Sequence, residues 1–400
     1  MGGGGGAAYN GRVGAWHSLF DAAAEFDPGA GTDEMLKVVP AKWVVYLVTD
    51  ADDQPVQLLC VKNLRASLKR RLGGEAEQQG PSRRVDYRGL VRRVYWRRVD
   101  SAFEADVVYL EAARAVFPQS YRGMLGFEPA WYVHADLEHR FPRLVKTIDL
   151  TRGGTLIGPV EDKHAAARLI QIIEDAFDLC RYYSVLTESP RGRACAYKEM
   201  GKCPAPCDGT ISMAQYHELM RWGIATAVSP DGLVEATQRR MAAAAAGLNF
   251  EAAGKVKQYL DQLAQFGAGA FKHVRRVEDF RYVTLQPGGR PGTAKVFVVT
   301  PGRVTEVVGL VAEPARSSDT LRLILELGQR AADLSEIGAE RIGVVAGHLL
   351  RGKKAGGVFL PIDRVEDRSL AKAWKELQKQ KAQEGEGDDE EGVVKELQRV

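Results

Sequence analysis

Four of the five cysteines in this 400-residue chain lie between residues 180 and 207, and this cluster constrains the fold more than any other feature. Fourteen residues separate Cys180 from Cys195, seven separate Cys195 from Cys203, and three separate Cys203 from Cys207. Five cysteines are too few for a secreted disulfide scaffold of this length. The cluster therefore indicates metal binding or redox chemistry, and its sulfurs can converge if residues 181–194 fold back.

Spacing alone leaves the ligand of these cysteines open. Four thiolates can hold a structural zinc ion or an iron–sulfur cluster, and both accept four sulfurs. A third interpretation is that the thiols are reduced and serve as small buried hydrophobic groups. Pro204 and Pro206 argue against it, because two prolines between cysteines make a stiff loop that can fix the positions of sulfurs.

Length and composition indicate a modular protein without membrane segments. A chain of 400 residues is expected to form two to four domains. It is 45% hydrophobic and 27% charged, with a net charge of +3, as is typical of globular proteins. No apolar run approaches the ~18 residues that span a bilayer. We expect a cytoplasmic protein with no membrane partner.

The pattern along the chain predicts an α+β, multidomain fold. Residues 1–36 are rich in Gly, Ala and Asp, and we expect them to be disordered. Residues 42–61 predict a β-hairpin, and residues 62–72 and 101–117 predict helices, the second capped by Ser101. A helix over 160–180 leads to the cysteines, and 233–266 predict a helical hairpin broken at 247–249. Residues 275–365, with strand-like IGVVAG and GVFLPI, predict a small α/β domain, and 366–400 a charged, solvated tail.

The stretch CAYKEMGKCPAPCDGTISMAQYHELM resembles the cysteine signature of UvrC, the incision subunit of the bacterial UvrABC excision-repair nuclease. VVYLVTD with VKNLRASLKRRL resembles the start of that family's GIY-YIG nuclease, and LNFEAAGKVKQYLDQL is similar to its UVR motif. The resemblance implies a small GIY-YIG-like α/β domain over 37–125 and a cysteine-bearing middle region over 126–228. It also implies a UVR αα-hairpin over 229–267, followed by the C-terminal α/β domain.

For the cysteines, the resemblance implies a 4Fe–4S cluster held by Cys180, Cys195, Cys203 and Cys207, with zinc as the alternative. For the nuclease, it implies that Tyr46 and Arg65 occupy two catalytic positions. The other positions differ: Gln57 and Leu59 replace the second half of the motif, and Tyr109 stands where the family has its metal-binding glutamate. Glu111 lies two residues later. Two helical residues rotate a side chain by about 200°, so Glu111 is expected to face away from the position of Tyr109. We expect an inactive or weak nuclease, with Mg²⁺ or Mn²⁺ needed only if it is active.

Basic residues are concentrated between residues 62 and 98, which contain twelve Lys and Arg against three Asp and Glu. Arginine forks bind phosphate oxygens, and the interleaved Tyr87, Tyr95 and Trp96 offer stacking surfaces for unpaired bases. A charged run is often only a solvated face, but its density here predicts a DNA-binding surface. The residues assigned to this surface are Lys62, Arg65, Lys69, Arg70, Arg71, Arg92 and Arg93.

The second helix of the hairpin carries an apolar stripe of Phe250, Ala253, Val256 and Leu260. A two-helix hairpin buries little by itself, and the resemblance implies UvrB as the partner that covers this stripe. The alternative is packing of the hairpin on the C-terminal domain. The RNase H-like nuclease and helix-hairpin-helix motifs of the family are not recognisable in the sequence.

Three functions follow from these observations. The first is a UvrC-like nucleotide-excision-repair protein that binds DNA and a UvrB-like protein and has lost most or all nuclease activity. The second is an active, metal-dependent endonuclease that makes a single incision near a lesion, with Glu104 or Glu111 as the substitute carboxylate. The third is a protein whose cluster senses redox state and modulates DNA binding.

Overall fold

A computed structural model describes residues 16–73, 87–126, 129–311, 318–352 and 356–385 of the chain. Within these ranges the strands form three antiparallel sheets of four strands each, with helices between them. The predicted α+β class is therefore confirmed. In the same ranges, no helix is both long enough and apolar enough to cross a membrane.

The first sheet has the strand order β1-β4-β2-β3. Strand β2 (Val44–Thr49), one of its two inner strands, is buried throughout, and alternate residues of β2 face opposite sides of the sheet. Tyr46 packs with Leu64 and Leu68 of one helix, whereas Leu47 packs with Leu110 of another. The elements are β1 (Ala22–Glu25), α1 (Asp33–Val38), β2 (Val44–Thr49), β3 (Pro55–Val61), α2 (Leu64–Leu72), β4 (Arg93–Arg98), α3 (Ala102–Val116) and α4 (Tyr121–Met124).

The described part of the N-terminal segment differs from the prediction of disorder over residues 1–36. Strand β1 pairs antiparallel with β4, and Phe26 and Met35 are buried in the core of the first sheet. Trp16 and Phe20 contact the ring of Tyr95. The N-terminal segment has few large apolar residues. Those it has lie beside β1, whose backbone pairs with the edge of β4. Residues 1–15 lie outside the described part of the chain.

The second sheet has the strand order β6-β5-β7-β8, and its last strand comes after the helical hairpin. Helices α5 and α8 pack on one face of it. Asp162 caps α5 by accepting hydrogen bonds from the backbone of His164 and Ala165. The elements are β5 (Trp131–Ala135), β6 (Leu144–Thr147), β7 (Thr155–Val160), α5 (Lys163–Ala176), α6 (Tyr183–Leu186), α7 (Ala196–Glu199), α8 (Met213–Val228), α9 (Asp231–Ala246), α10 (Phe250–Leu263) and β8 (Arg275–Arg276).

The break between α9 and α10 falls at residues 247–249, as the sequence predicts. The left-handed residue, however, is Leu248, with φ of 55°, and not Gly247 or Asn249. Asn249 instead caps α10 by accepting a hydrogen bond from the backbone of Ala252. The turn therefore presents an apolar side chain in an unfavourable backbone conformation at the tip of the hairpin.

The third sheet has the strand order β11-β10-β9-β12, and helices α11 and α13 pack on one face of it. Two predictions for this region are wrong. The IGVVAG stretch is helical, and the predicted solvated tail buries Leu370, Ala373 and Leu377 against the sheet. The elements are β9 (Tyr282–Pro287), β10 (Ala294–Thr300), β11 (Arg303–Val311), α11 (Ser318–Gly328), α12 (Glu336–Arg351), β12 (Val358–Pro361) and α13 (Asp367–Gly385).

A central core joins all three sheets. It contains Phe103 of α3, Tyr132 of β5, Phe297 of β10 and Val345 of α12, and each of these side chains is nearly or fully buried. Phe103 makes an edge contact with Phe297, with ring centroids 5.5 Å apart. Helix α12 therefore lies at the junction and holds α3 of the first sheet against the third sheet.

Candidate functional site

The segment between Cys180 and Cys195 folds back onto the last two cysteines. The backbone amide of Gly192 donates to the carbonyl of Cys207 at 2.8 Å, and Ser189 Oγ donates to the carbonyl of Pro206 at 2.6 Å. Pro204 and Pro206 flank Ala205, which adopts a left-handed conformation with φ of 54°. Hydrogen bonds thus hold residues 189–192 against residues 206–207, and the two prolines stiffen the loop before Cys207.

Three of the four thiols interact with one another. A hydrogen bond from the Cys180 thiol lowers the pKa of Cys203 to about 6, and the same bond raises the pKa of Cys180. Burial, followed by the charges of Asp208 and Cys203, raises the pKa of Cys207. Cys195 is half-buried and lies at the N-terminus of α7. Metal thiolate sites require deprotonated sulfur, so a low thiol pKa suits a ligand.

The donor chemistry of this segment fits a thiolate-bound metal centre, and Cys180, Cys203 and Cys207 are close enough to influence one another's protonation. Over the described ranges, however, no three Cys, His, Asp or Glu side chains meet at metal-ligand positions. All five cysteines are free thiols. The described geometry therefore brings Cys180, Cys203 and Cys207 into mutual electrostatic contact but does not arrange them as a metal site.

Tyr46, the first predicted catalytic residue, lies inside the protein. Its side chain has an exposure of 0%, and its hydroxyl lies 3.1 Å from Ser67 Oγ on α2. The gap beside it is only about 10 Å³ and is lined by Gln57, Leu59 and Leu68, among others. A phosphodiester therefore cannot reach the Tyr46 hydroxyl in this conformation.

Arg65, the second predicted catalytic residue, is exposed on α2, but its guanidinium is turned to the backbone. It donates two hydrogen bonds to the carbonyl of Val39, at 3.2 and 3.0 Å. On β3, Cys60 accepts a hydrogen bond from Trp43 Nε1 at 3.2 Å, and burial raises the pKa of its thiol to about 11. The side chains of Arg65 and Cys60 therefore both bind other groups of the same domain.

The two candidate carboxylates on α3 both pair with cations of the C-terminal part of the chain. Glu104 Oε1 lies 2.6 Å from Lys295 Nζ, and Glu111 is bound by Arg341. Burial raises the pKa of Glu104, and the hydrogen bond from Lys295 opposes this effect. Tyr109 points the other way and donates to the Leu58 carbonyl at 3.5 Å. Sequence reasoning missed Lys295 and Arg341, which carry no local motif.

The predicted basic surface is divided into two groups by the exposure of its side chains. Lys62, Lys69 and Arg70 are exposed on or beside α2. Arg71, Arg92 and Arg93 are half-buried. Arg71 donates to Gln57 Oε1 at 3.3 Å, Arg92 donates to the carbonyls of Gly89 and Val91, and Arg93 lies 3.5 Å from Asp53.

Two of the three aromatic residues of that region, Tyr95 and Trp96, make contacts within the fold. Trp96 is 6% exposed and belongs to the core of the first sheet. Tyr95 donates to both carboxylate oxygens of Asp53, at 2.9 and 3.1 Å, and its ring contacts Trp16. The expectation that these rings stack on unpaired bases is therefore wrong for both residues; Tyr87 is half-buried.

The hairpin of α9 and α10 is anchored at its base and exposed at its tip. Leu263 is fully buried in the core beside the second sheet, and Tyr259 packs against the same core. Phe250 and Leu248 at the tip are 68% and 75% exposed. The other predicted partner residues, Ala253, Val256 and Leu260, are half-buried. The hairpin base thus packs on the core beside the second sheet, whereas the alternative named the C-terminal domain.

Strands β5 to β7 and the helices from α5 into α8 match a known family model. Residues 129–225 match the model described as UvrC/Cho excinuclease, middle domain. This range begins just before β5 and ends within α8, and it includes all four clustered cysteines. No solved structure matches the chain.

Curated relatives cover parts of the chain at low identity. The "UvrABC system protein C" of Trichlorobacter lovleyi is 32% identical over 127 residues, which is 31% of this chain and 21% of the relative. That of Syntrophotalea carbinolica is 33% identical over 132 residues, which is 32% of this chain and 21% of the relative. That of Clostridium botulinum strain Langeland is 21% identical over 256 residues, which is 62% of this chain and 38% of the relative.

The chain therefore spans between 21% and 38% of the length of these relatives. The longer alignment extends well beyond the region that the family model covers. Together, the family model and the relatives support a relationship of this chain to the UvrC family, carried by its middle domain at low identity and over part of its length.

Proposed function

We propose that this chain is a UvrC-related nucleotide-excision-repair protein that binds DNA and a UvrB-like partner without cutting DNA. The similarity of residues 129–225 to the UvrC/Cho middle domain supports the repair role. The burial of Tyr46, at 0% exposure, is the single observation that carries the loss of incision. A general base must reach the proton that it removes, and a buried hydroxyl bonded to Ser67 does not.

The pairing of the α3 carboxylates supports the same proposal. A GIY-YIG nuclease needs a carboxylate that holds a divalent metal beside the scissile phosphate. Glu104 pairs with Lys295, and Glu111 pairs with Arg341, so each carboxylate already has a cation at hydrogen-bond distance. Recruiting either one for Mg²⁺ or Mn²⁺ would break an ion pair that joins two parts of the fold.

The exposed basic residues of α2 support DNA binding. Charge reversal in Lys69→Glu/Arg70→Glu is expected to weaken binding of a fluorescein-labelled duplex at least tenfold in an anisotropy titration. It should also reduce the slope of log affinity against log salt by about 1 to 2, because two phosphate contacts are lost. Lys372→Glu/Lys375→Glu on α13 is the matched control, with the same change in charge. Equal loss in both variants would contradict a specific surface on α2.

The cysteine segment supports a bound centre, which we assign to Cys180, Cys195, Cys203 and Cys207. A 4Fe–4S cluster is the favoured group and zinc the alternative; either one would crosslink the two ends of the segment through thiolate bonds. Iron, sulfide and zinc should be quantified in protein purified without oxygen. Cys207→Ser is expected to lose the metal, and Cys60→Ser, outside the cluster, is expected to retain it. Metal-free wild-type protein would overturn the assignment.

A further inference from the structure

A cleft of about 360 Å³ lies between α3 and the third sheet, on the opposite face of the first sheet from Tyr46. This volume falls within the ~300–1,000 Å³ typical of small-molecule sites. Val107 and Val108 of α3 line one side, and Phe297 and Val304 line the other. The cleft therefore has an apolar floor between two parts of the chain.

Four arginines line the same cleft, namely Arg97, Arg303, Arg330 and Arg341. Arg341 is neutralised by Glu111, with Nε 2.6 Å from Oε1. Arg303 lies 3.8 Å from Asp333, its nearest carboxylate partner among the described residues. In the part of the chain that the structure describes, no carboxylate pairs with the side chain of Arg97 or Arg330.

The carboxylates of the cleft do not balance these arginines. Glu104 is occupied by Lys295 at 2.6 Å, and Glu111 by Arg341. Glu306, which is exposed, is the remaining carboxylate in the lining. Among the described residues, three guanidinium groups and one carboxylate of the lining are therefore without a close ion-pair partner. Guanidinium groups bind phosphate oxygens through paired hydrogen bonds.

We propose that this cleft binds a nucleotide unit. Its phosphate binds Arg97, Arg303 and Arg330, and its base or sugar packs against Val107 and Val304. The combination of an apolar floor and a cationic rim matches the two chemistries of a nucleotide. This site goes beyond the proposed function, since it depends on neither the cysteine cluster nor α2. The unit is either a free nucleotide or a nucleotide of a nucleic-acid strand.

The test titrates the full chain with two probes, a fluorescent ATP analogue and a fluorescein-labelled oligothymidylate. Arg97→Ala/Arg330→Ala is expected to weaken binding of the true ligand at least tenfold, because charge-assisted hydrogen bonds are lost. Glu306→Gln is expected to tighten binding about threefold, because it removes the unpaired negative charge. The matched control is Arg322→Ala on α11, where Arg322 pairs with Asp319 outside the cleft.

Arg330→Glu alone provides a second test if the double variant does not fold, since Arg330 is exposed and follows α11. Loss of only ATP-analogue binding in these variants identifies a free nucleotide, and loss of only oligothymidylate binding identifies a strand. The proposal is overturned if wild-type protein binds neither probe. It is equally overturned if the cleft variants bind both probes as tightly as Arg322→Ala does.

Discussion

Arg341 of α12 binds Glu111 of α3 through two hydrogen bonds, with Nε 2.6 Å and Nη2 3.1 Å from the two carboxylate oxygens. Both side chains are partly buried, at 23% and 32% exposure. This bidentate pair joins α3, which packs on the first sheet, to α12. The resemblance expects a metal-binding glutamate at position 109, and Glu111 is the carboxylate nearest to that position in sequence. The pair with Arg341 therefore engages this carboxylate.

Removal of this pair is expected to destabilise the protein. Arg341→Met should lower the free energy of unfolding by about 1 to 2 kcal/mol, because a half-buried carboxylate loses its cation. Arg322→Met removes an exposed pair and is expected to cost less than about 0.5 kcal/mol. Urea denaturation of both variants measures the difference. Equal effects would contradict a joining role for Arg341.

The hydroxyl of Tyr46 is expected to contribute to stability only. Tyr46→Phe should cost about 1 kcal/mol, because the Ser67 hydroxyl loses its partner at 3.1 Å inside the core. DNA affinity should not change. Ser67→Ala and the double variant complete a thermodynamic cycle, in which the coupling energy is expected to be about 0.5 to 1 kcal/mol. A change in DNA affinity without a change in stability would argue for a functional tyrosine.

The tip of the hairpin is expected to bind the partner. Phe250→Ser with Leu248→Ser should weaken binding to a UvrB-like protein more than tenfold, because exposed apolar anchors dominate such interfaces. Thermal stability should remain within about 2 °C of wild type, since both side chains are mostly exposed. Calorimetric titration and thermal melting measure the two effects.

Leu263→Ala is the contrasting variant for the hairpin. Leu263 is fully buried at the hairpin base, so its truncation is expected to cost about 2 to 4 kcal/mol. Unchanged partner affinity in the Leu248 and Phe250 variant would assign the partner surface to another part of the chain.

The half-buried carboxylate of Glu174 on α5 gives the protein a defined pH dependence. Burial raises its pKa to about 7, and the charge of Arg181 opposes this shift. The folded state therefore keeps a proton that the unfolded state releases near pH 4.5, so stability falls as pH rises from about 4.5 to 7.

Glu174→Gln is expected to remove this loss of stability. The variant should be more stable than wild type at pH 8 by about 1 to 2 kcal/mol and nearly equal to it at pH 4, after allowance for partial solvent exposure. Unfolding free energies across this pH range provide the test. A variant that is less stable than wild type at pH 8 would contradict the predicted sign.

Local sequence patterns predict many of the elements but not where they pack. Ser101 caps α3 by accepting a hydrogen bond from the Glu104 amide, as its spacing indicates. IGVVAG reads as a strand because it is short, apolar and rich in β-branched residues. It is helical because Ile342, Val345, Ala346 and Leu349 form one stripe that the central core buries, so tertiary packing overrides propensity.

The candidate sites show the same limit. The cysteine segment is visible in the sequence because its four residues lie close together along the chain. The pairs of Glu104 with Lys295 and of Glu111 with Arg341 join residues that are far apart in sequence. No spacing rule connects them, so only the folded chain explains why the α3 carboxylates are occupied.

The central claim is that the protein holds DNA without cutting it. Protein purified without oxygen should be incubated with a lesion-containing duplex, with and without Mg²⁺ or Mn²⁺ and UvrB. Binding and strand cuts are then measured on native and denaturing gels from the same sample. The account predicts binding without incision under every condition. Metal-dependent incision that is lost in Tyr46→Phe would contradict it and would show that Tyr46 becomes accessible when DNA is bound.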